Sequence, residues 1–224
     1  MRLIVKGLEP DDLLRWKADN AVTPQNLTYD NMPKLPVKAQ MLREQGFLCA
    51  YTMLRIETED DCHIEHVVPR NQTAQPQYND IAYSNLLACI PSDTPGHRPL
   101  FQPFPYGAVP KAGTLIDRNN FISPLQEDVE QRFQYAADGS VSSAPADEPA
   151  RSTIEILKLN HDQLCALRKA AIDEWVLDVD LSAEEADTLS ETIMDANPSG
   201  RIAEFCLAVS QVAKSLAQKL RETN

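Results

Sequence analysis

Residues 62–70 read Cys-His-Ile-Glu-His-Val-Val-Pro-Arg, and Asn85-Leu86-Leu87 begins nineteen residues after His66. Two imidazoles (His63 and His66), a carboxylate (Glu65) and a carboxamide (Asn85) thus share one short stretch. Three of the four histidines, His63, His66 and His97, lie between positions 63 and 97. Hydrolysis of a phosphodiester needs such groups. A neutral imidazole, with a pKa of about 6.5, can take the proton of a water nucleophile. One hard divalent ion, held by a carboxylate and an imidazole or amide, can neutralise the phosphate and assist the leaving oxygen. General-base help of this kind contributes about 10²- to 10⁴-fold in rate.

The spacing also sets a geometric condition. Along a strand successive side chains alternate faces, so His63 and Glu65 share one face and Ile64 and His66 the other. For Glu65 and His66 to reach one phosphate the chain must turn or bulge near them, which predicts that the strand ends near Val67–Pro69. Asn85 has two available jobs: to ligate a metal, or to hydrogen-bond the backbone of the intervening loop and keep His66 aimed. The second suits an Asn beside a loop. A bare His-x-x-His pair is weak evidence, and two structural histidines on a strand would look the same.

The surrounding elements are readable to different depths. Residues 1–7 alternate weakly and predict a short strand ending at Gly7. Pro10–Asn20 reads as a helix with Asp11 and Asp12 at its positive end. Residues 21–36, with three prolines, predict a loop, and Val37–Gln45 a second helix closed by Gly46. Residues 47–70 predict two short strands separated by the acidic stretch 57–61. Residues 71–80 read as loop and Tyr83–Cys89 as an ordered piece after it. Six prolines and two glycines between 91 and 110 exclude a long helix there. Residues 133–141 predict a hairpin turning at Asp138-Gly139, followed by a linker over 142–149. The remainder reads as helical: a helix capped by Asn160 with Leu164, Leu167, Ala171 and Trp175 inward, one opened by a Ser182–Glu185 capping box, and one opened by Pro198 with Ile202, Phe205, Val209, Val212, Leu216 and Leu220 inward.

The sequence therefore predicts an α+β protein in three parts. These are an N-terminal strand and helices (1–46), a small β-rich core with a Pro-rich loop and hairpin (47–141), and a helical region suited to protein contact (150–224). The formal net charge of −12 weighs against unaided binding to nucleic acid, which needs clustered Lys and Arg. Its distribution is uneven. Residues 1–112 carry 11 basic and 13 acidic side chains, and residues 113–224 carry 10 and 20. The front half is nearly neutral and compatible with a phosphodiester, while the acidic back half is not. No apolar run approaches the roughly 20 residues that cross a bilayer, and Met1–Lys6 is too brief for a signal peptide, so no membrane association and a cytoplasmic location are expected. Five cysteines without paired spacings do not form a secreted disulfide framework.

His63-Ile64-Glu65-His66-Val67-Val68-Pro69 followed by Asn85-Leu86-Leu87-Ala88-Cys89 resembles the HNH nuclease family and its ββα-metal core. The wider frame includes Cys49-Ala50-Tyr51, Ser123-Pro124-Leu125, Glu130-Gln131-Arg132-Phe133, Asp138-Gly139 and Leu157-Lys158-Leu159-Asn160-His161. Over roughly residues 40–176 it resembles the HNH nuclease subunit of Septu-type antiphage systems, including those attached to retrons. The resemblance implies a small ββα-metal core embedded in a mainly helical protein. It implies a nuclease effector of DNA or RNA, tRNA included, working beside an ABC/RecF-like ATPase subunit, with a retron reverse transcriptase and its noncoding DNA as a further associate. By motif position it makes His66 the general base, Glu65 a metal ligand, Asn85 the loop-orienting residue and His63 a further metal-side residue. His97 is nearest in chemistry to the family's last ligand, and Lys111 resembles the lysine that follows it. The implied metal is Mg²⁺, with Mn²⁺ as substitute. The family's structural zinc is not expected, because its two Cys pairs here read Cys49…Thr52 and Cys89…Tyr106, and such sites want four ligands. The same gaps leave a catalytically decayed scaffold or adaptor as the alternative.

Overall fold

The structure, a computed structural model, describes residues 1–72, 80–95, 104–117 and 119–223. It mixes helices with two small antiparallel sheets. Helix α1 spans Asp11–Asp19 and α2 spans Lys34–Glu44. The loop predicted up to Pro36 is shorter than expected, because a proline is tolerated in the first turn of a helix and Pro36 occupies that turn of α2. At the other end Gly46 adopts φ +61°. A Cβ there would lie 2.5 Å from Ile202 Cδ1, so glycine serves both the left-handed turn and the close approach.

The predicted N-terminal strand is absent. Residues 1–10 are extended without a ladder, and Ile4 N–H donates to the Pro124 carbonyl at 2.8 Å. The first strand expected in 47–70 reduces to a single bridge between Leu48 and Arg55, because Met53 (φ +62°) folds the segment back on itself. The second is real. Strand β1 (His63–His66) pairs antiparallel with β2 (Leu86–Cys89) in the register His63–Cys89, Ile64–Ala88, Glu65–Leu87 and His66–Leu86. Helix α2 positions this pair. Gln45 at its C-cap donates Nε2 to the carbonyls of Leu48 and Ala88 (2.7 and 2.8 Å) and accepts from Ala88 N–H (2.8 Å). The buried Lys38 ammonium binds the Cys62 carbonyl at 2.5 Å and the Asp93 carboxylate at 2.8 Å, fixing the start of β1.

Short helix α3 (Ala108–Lys111) forms at the end of the Pro-rich stretch, and α4 (Val129–Arg132) precedes the hairpin β3 (Gln134–Tyr135) and β4 (Val141–Ser142). The Asp-Gly turn forms as expected, with Gly139 at φ +82°. The predicted linker is trimmed at both ends, since Ser142 belongs to β4 and α5 (Glu148–Ile156) starts inside it, capped by Asp147, while 143–147 stay irregular.

Helix α6 (Asp162–Ile172) runs into a π turn at Asp173–Leu177. Its cap is His161, whose Nδ1 accepts from Gln163 N–H, and not Asn160. Asn160 instead brackets Val141, accepting from its N–H and donating to its carbonyl, both at 2.8 Å. The inward face is displaced by one position from the expected one. Leu164, Arg168, Ile172 and Val176 are buried, while Leu167 and Trp175 are exposed. Arg168 is tolerated inside because its guanidinium donates to the carbonyls of Gly139 and Leu159. The capping box of α7 (Ala183–Thr192) forms as predicted. The last helix, α8, spans Cys206–Thr223. It begins later than Pro198, because Phe205 sits at φ +51° and Ile202 belongs to a loop whose N–H bonds the Gly46 carbonyl at 3.1 Å. Buried residues from Met1 to Ala213 form one contiguous cluster. Among the described residues no helix is long and apolar enough to cross a membrane.

Candidate active site

Strand β1 carries the site with the alternation its sequence demands. Ile64 and His66 are buried, and His63 and Glu65 are partly buried on the other face. Glu65 and His66 nevertheless border a common groove of about 270 Å³, completed by Pro69, Arg70, Asn71, Ala112 and Gly113. The expected turn makes this possible, because the strand stops at His66 and the chain bends away at Val67–Val68.

Asn85 holds that bend. Its Oδ1 accepts from Val68 N–H at 2.8 Å and its Nδ2 donates to the Val68 carbonyl at 3.1 Å, while its own carbonyl accepts from Val67 N–H at 2.9 Å. Of the two jobs open to this carboxamide, it is engaged in the loop-binding one.

The two strand histidines expose opposite ring nitrogens. His66 Nε2 lies 3.0 Å from the Asp80 carbonyl. A carbonyl only accepts, so Nε2 carries the proton and Nδ1 keeps its lone pair. Burial pushes the His66 pKa below the ordinary histidine value, so the ring is a neutral acceptor near pH 7. The Tyr29 ring meets it edge-on at 5.0 Å. His63 is reversed. Its Nδ1 donates to the Pro91 carbonyl at 2.6 Å, which turns Nε2 toward Glu65 Oε2 at 3.7 Å. Burial alone would lower its pKa, but the Glu65 carboxylate and the Pro91 carbonyl outweigh burial and the net shift is upward. Glu65 responds in kind: burial favours its neutral form, yet His63 and Lys111 hold it below the usual carboxylate range.

A lone pair on His63 Nε2 facing a carboxylate oxygen calls for a cation between them, either a proton or a metal ion. Two adjacent ligands of an octahedral Mg²⁺, each at about 2.1 Å, sit about 3.0 Å apart, so the 3.7 Å spacing must close by about 0.7 Å to hold one. Hydrogen bonding of the distal ring nitrogen to a backbone carbonyl is the usual support of a metal-binding histidine. Mg²⁺ takes few protein ligands and keeps water or phosphate oxygens on the rest, so this pair suits it as a partial set. Among the described residues no group of three His, Cys, Asp or Glu side chains converges. His97, named as a third ligand from the sequence, lies outside the described residues.

One residue gains a role that the sequence reading did not give it. The Lys111 side chain is fully buried, and its Nζ donates to Glu65 Oε1 at 2.7 Å and to the His66 carbonyl at 2.8 Å. Tyr51 and Phe121 rings flank the ammonium at 6.0 and 5.9 Å. Its only sequence signal was its place in the resembled motif, since a lysine 46 positions from Glu65 in a Pro-rich region otherwise reads as surface. At the groove wall, Arg70 pairs with Asp80 at 2.9 Å and lies over the Tyr29 ring, which Lys34 also approaches. Arg70 is the basic residue of the groove lining, and Asp80 balances its charge.

Cys49 and Cys89 come together beneath the sheet beside Thr52. Burial raises a thiol's pKa, but hydrogen bonds from Cys89 and Thr52 bring Cys49 down to about 6. Cys62 is buried, and burial raises it to about 12. Two thiols and a hydroxyl are not a zinc ligand set. No protein-family model matches this chain, and a comparison with curated proteins finds no match.

Proposed function

We propose that this chain is a metal-dependent HNH-type nuclease that cleaves phosphodiester bonds of DNA or RNA as the effector subunit of an antiphage complex with an ABC/RecF-like ATPase. In this reading β1, β2 and the Lys111-bearing α3 are its ββα-metal core. The observation that carries it is the tautomer of His66: Nε2–H is tied to the Asp80 carbonyl, leaving Nδ1 with a free lone pair on a residue that lines the same groove as Glu65. A water bound there loses its proton to Nδ1. Asn85 keeps the loop, and with it the ring, in position, and Arg70 meets the phosphate at the margin. Glu65 and His63 would hold Mg²⁺ or Mn²⁺, which supplies positive charge for the scissile phosphate and its leaving oxygen.

The test is cleavage of labelled DNA and RNA by the assembled complex, with and without Mg²⁺ and nucleotide. Mg²⁺-dependent cutting that falls about 10²-fold or more in His66→Ala, with assembly intact, is expected. Cutting at the wild-type rate by that variant would overturn the assignment.

A second reading has its own observation. Lys111 already neutralises Glu65, which leaves a structural role open to that carboxylate in a decayed nuclease core kept as a scaffold. It predicts that Glu65→Ala leaves biological protection unchanged, and loss of protection in that variant rejects it.

A further inference from the structure

Leu167, Ala171 and Trp175 follow one another at four-residue intervals along α6 and its π turn, the spacing of a single helix face. Its two large members meet solvent, while Ala171 between them packs partly against the core. Leu167 is 44% and Trp175 42% exposed, and Leu177 and Val179 just beyond are 47% and 45% exposed. Trp175 also forms one wall of a groove of about 550 Å³ whose apolar lining includes Leu189, Ile193, Ile202 and Ala203. An exposed aromatic beside an apolar groove has the makeup of an interface anchor and its pocket.

The charge around this face is predominantly acidic. Residues 173–195 contain nine acidic side chains and no Lys or Arg. Asp173 is paired with Lys169 and Asp187 with Arg221, but Glu174, Asp178, Asp180, Glu191 and Asp195 stand exposed. The two arginines of the groove are committed internally. Arg201 pairs with Glu57, and Arg55 donates to the carbonyls of Gly46, Phe47 and Ile202.

This frame selects the occupant. Phosphate backbones and anionic lipid headgroups are repelled. A second copy related by a twofold axis would set two acidic frames against each other, on chains that each carry −12. We propose that this face docks a cationic amphipathic segment of a different protein, its apolar side chain entering the groove beside Trp175 and its Lys and Arg side chains meeting the acidic rim. The proposal is independent of the chemistry assigned to β1.

The test uses the full chain and two fluorescently labelled synthetic helices, one with a leucine face and a lysine face and one with glutamate replacing lysine. Fluorescence anisotropy should show binding of the lysine helix and none of the glutamate helix. In a Trp16→Phe background Trp175 is the sole tryptophan, and its emission should shift to the blue on binding. Leu167→Ser/Leu177→Ser and Asp178→Lys/Asp195→Lys, all at exposed positions, should each weaken binding by about tenfold or more. The proposal fails if the leucine substitutions leave the affinity unchanged, since net charge alone would then explain binding, or if the tryptophan emission does not move. It also fails if the chain self-associates in sedimentation and Trp175→Ala abolishes that association, because a second copy would then own the face.

Discussion

The Lys111 ammonium lies 2.7 Å from Glu65 Oε1 and 2.8 Å from the His66 carbonyl, bridging two neighbours whose side chains leave β1 on opposite faces. It ties α3 to the strand and fixes the Glu65 carboxylate so that its other oxygen points at His63. Removing one partner of a buried ion pair leaves the other uncompensated, at a cost of about 3–5 kcal/mol. Lys111→Met should therefore lower the unfolding free energy by about that much, and adding Glu65→Gln should recover a large part of it. Denaturant unfolding of the two variants decides the matter. A single variant within about 1 kcal/mol of wild type would show that the pair is not coupled as drawn.

Asn85 makes two side-chain hydrogen bonds to one residue, Val68. Asn85→Ala removes both and frees the bend that follows His66, at a cost of about 1–3 kcal/mol. Hydrogen exchange at the Val68 amide should accelerate, with the β1–β2 amides moving less. Asn85→Asp should fail to rescue it, because a carboxylate still accepts from Val68 N–H but is set against the Val68 carbonyl. Unchanged Val68 protection in Asn85→Ala would remove the clamp from the account.

Asp147 predicts a dependence on pH. The Arg132 guanidinium beside it holds its carboxyl below the usual carboxylate range, with a bond of 2.5 Å from Nη2, and Asp147 also caps α5 through Ala150 N–H at 3.1 Å. A depressed folded-state pKa contributes stability that is complete above the unfolded value of about 3.9 and disappears as pH falls through the folded value. Asp147→Asn keeps a capping side chain but removes the charge paired with Arg132, and should cost up to about 1 kcal/mol near neutrality, the size of a partly exposed ion pair. The gap to wild type should begin to narrow below about pH 4 and vanish once pH is under the folded value. Thermal unfolding across pH 2–7 measures it, and a gap that persists unchanged at the acid end contradicts the assignment.

Gly139 and Gly46 share positive φ but differ in what surrounds them. An added Cβ at Gly139 would overlap the backbone carbonyl of Cys165 and crowd Lys169 N, whereas at Gly46 it meets side-chain atoms of Ile202 and no backbone. Both alanine variants incur about 1–2 kcal/mol from the left-handed conformation. Gly139→Ala should lose clearly more, since α6 itself must shift. Equal melting temperatures for the two variants would refute this.

What the sequence determined by itself was local. The alternation of His63–His66, the strand's end before Pro69, the Asp-Gly hairpin, the Ser182–Glu185 capping box and the glycine closing α2 all rest on contacts within a few residues, where backbone sterics and side-chain period leave little choice. The tertiary structure decided which face of α6 turned inward, because Arg168 found carbonyls at Gly139 and Leu159 that no helical periodicity reveals. It also decided that Asn160 would bind the hairpin instead of capping a helix, and that Phe205 would break the expected last helix. Above all it brought Lys111 to Glu65 and the Asp80 carbonyl to His66. A ring's tautomer and a carboxylate's free oxygen are set by such distant partners, so they became visible only once the chain had folded.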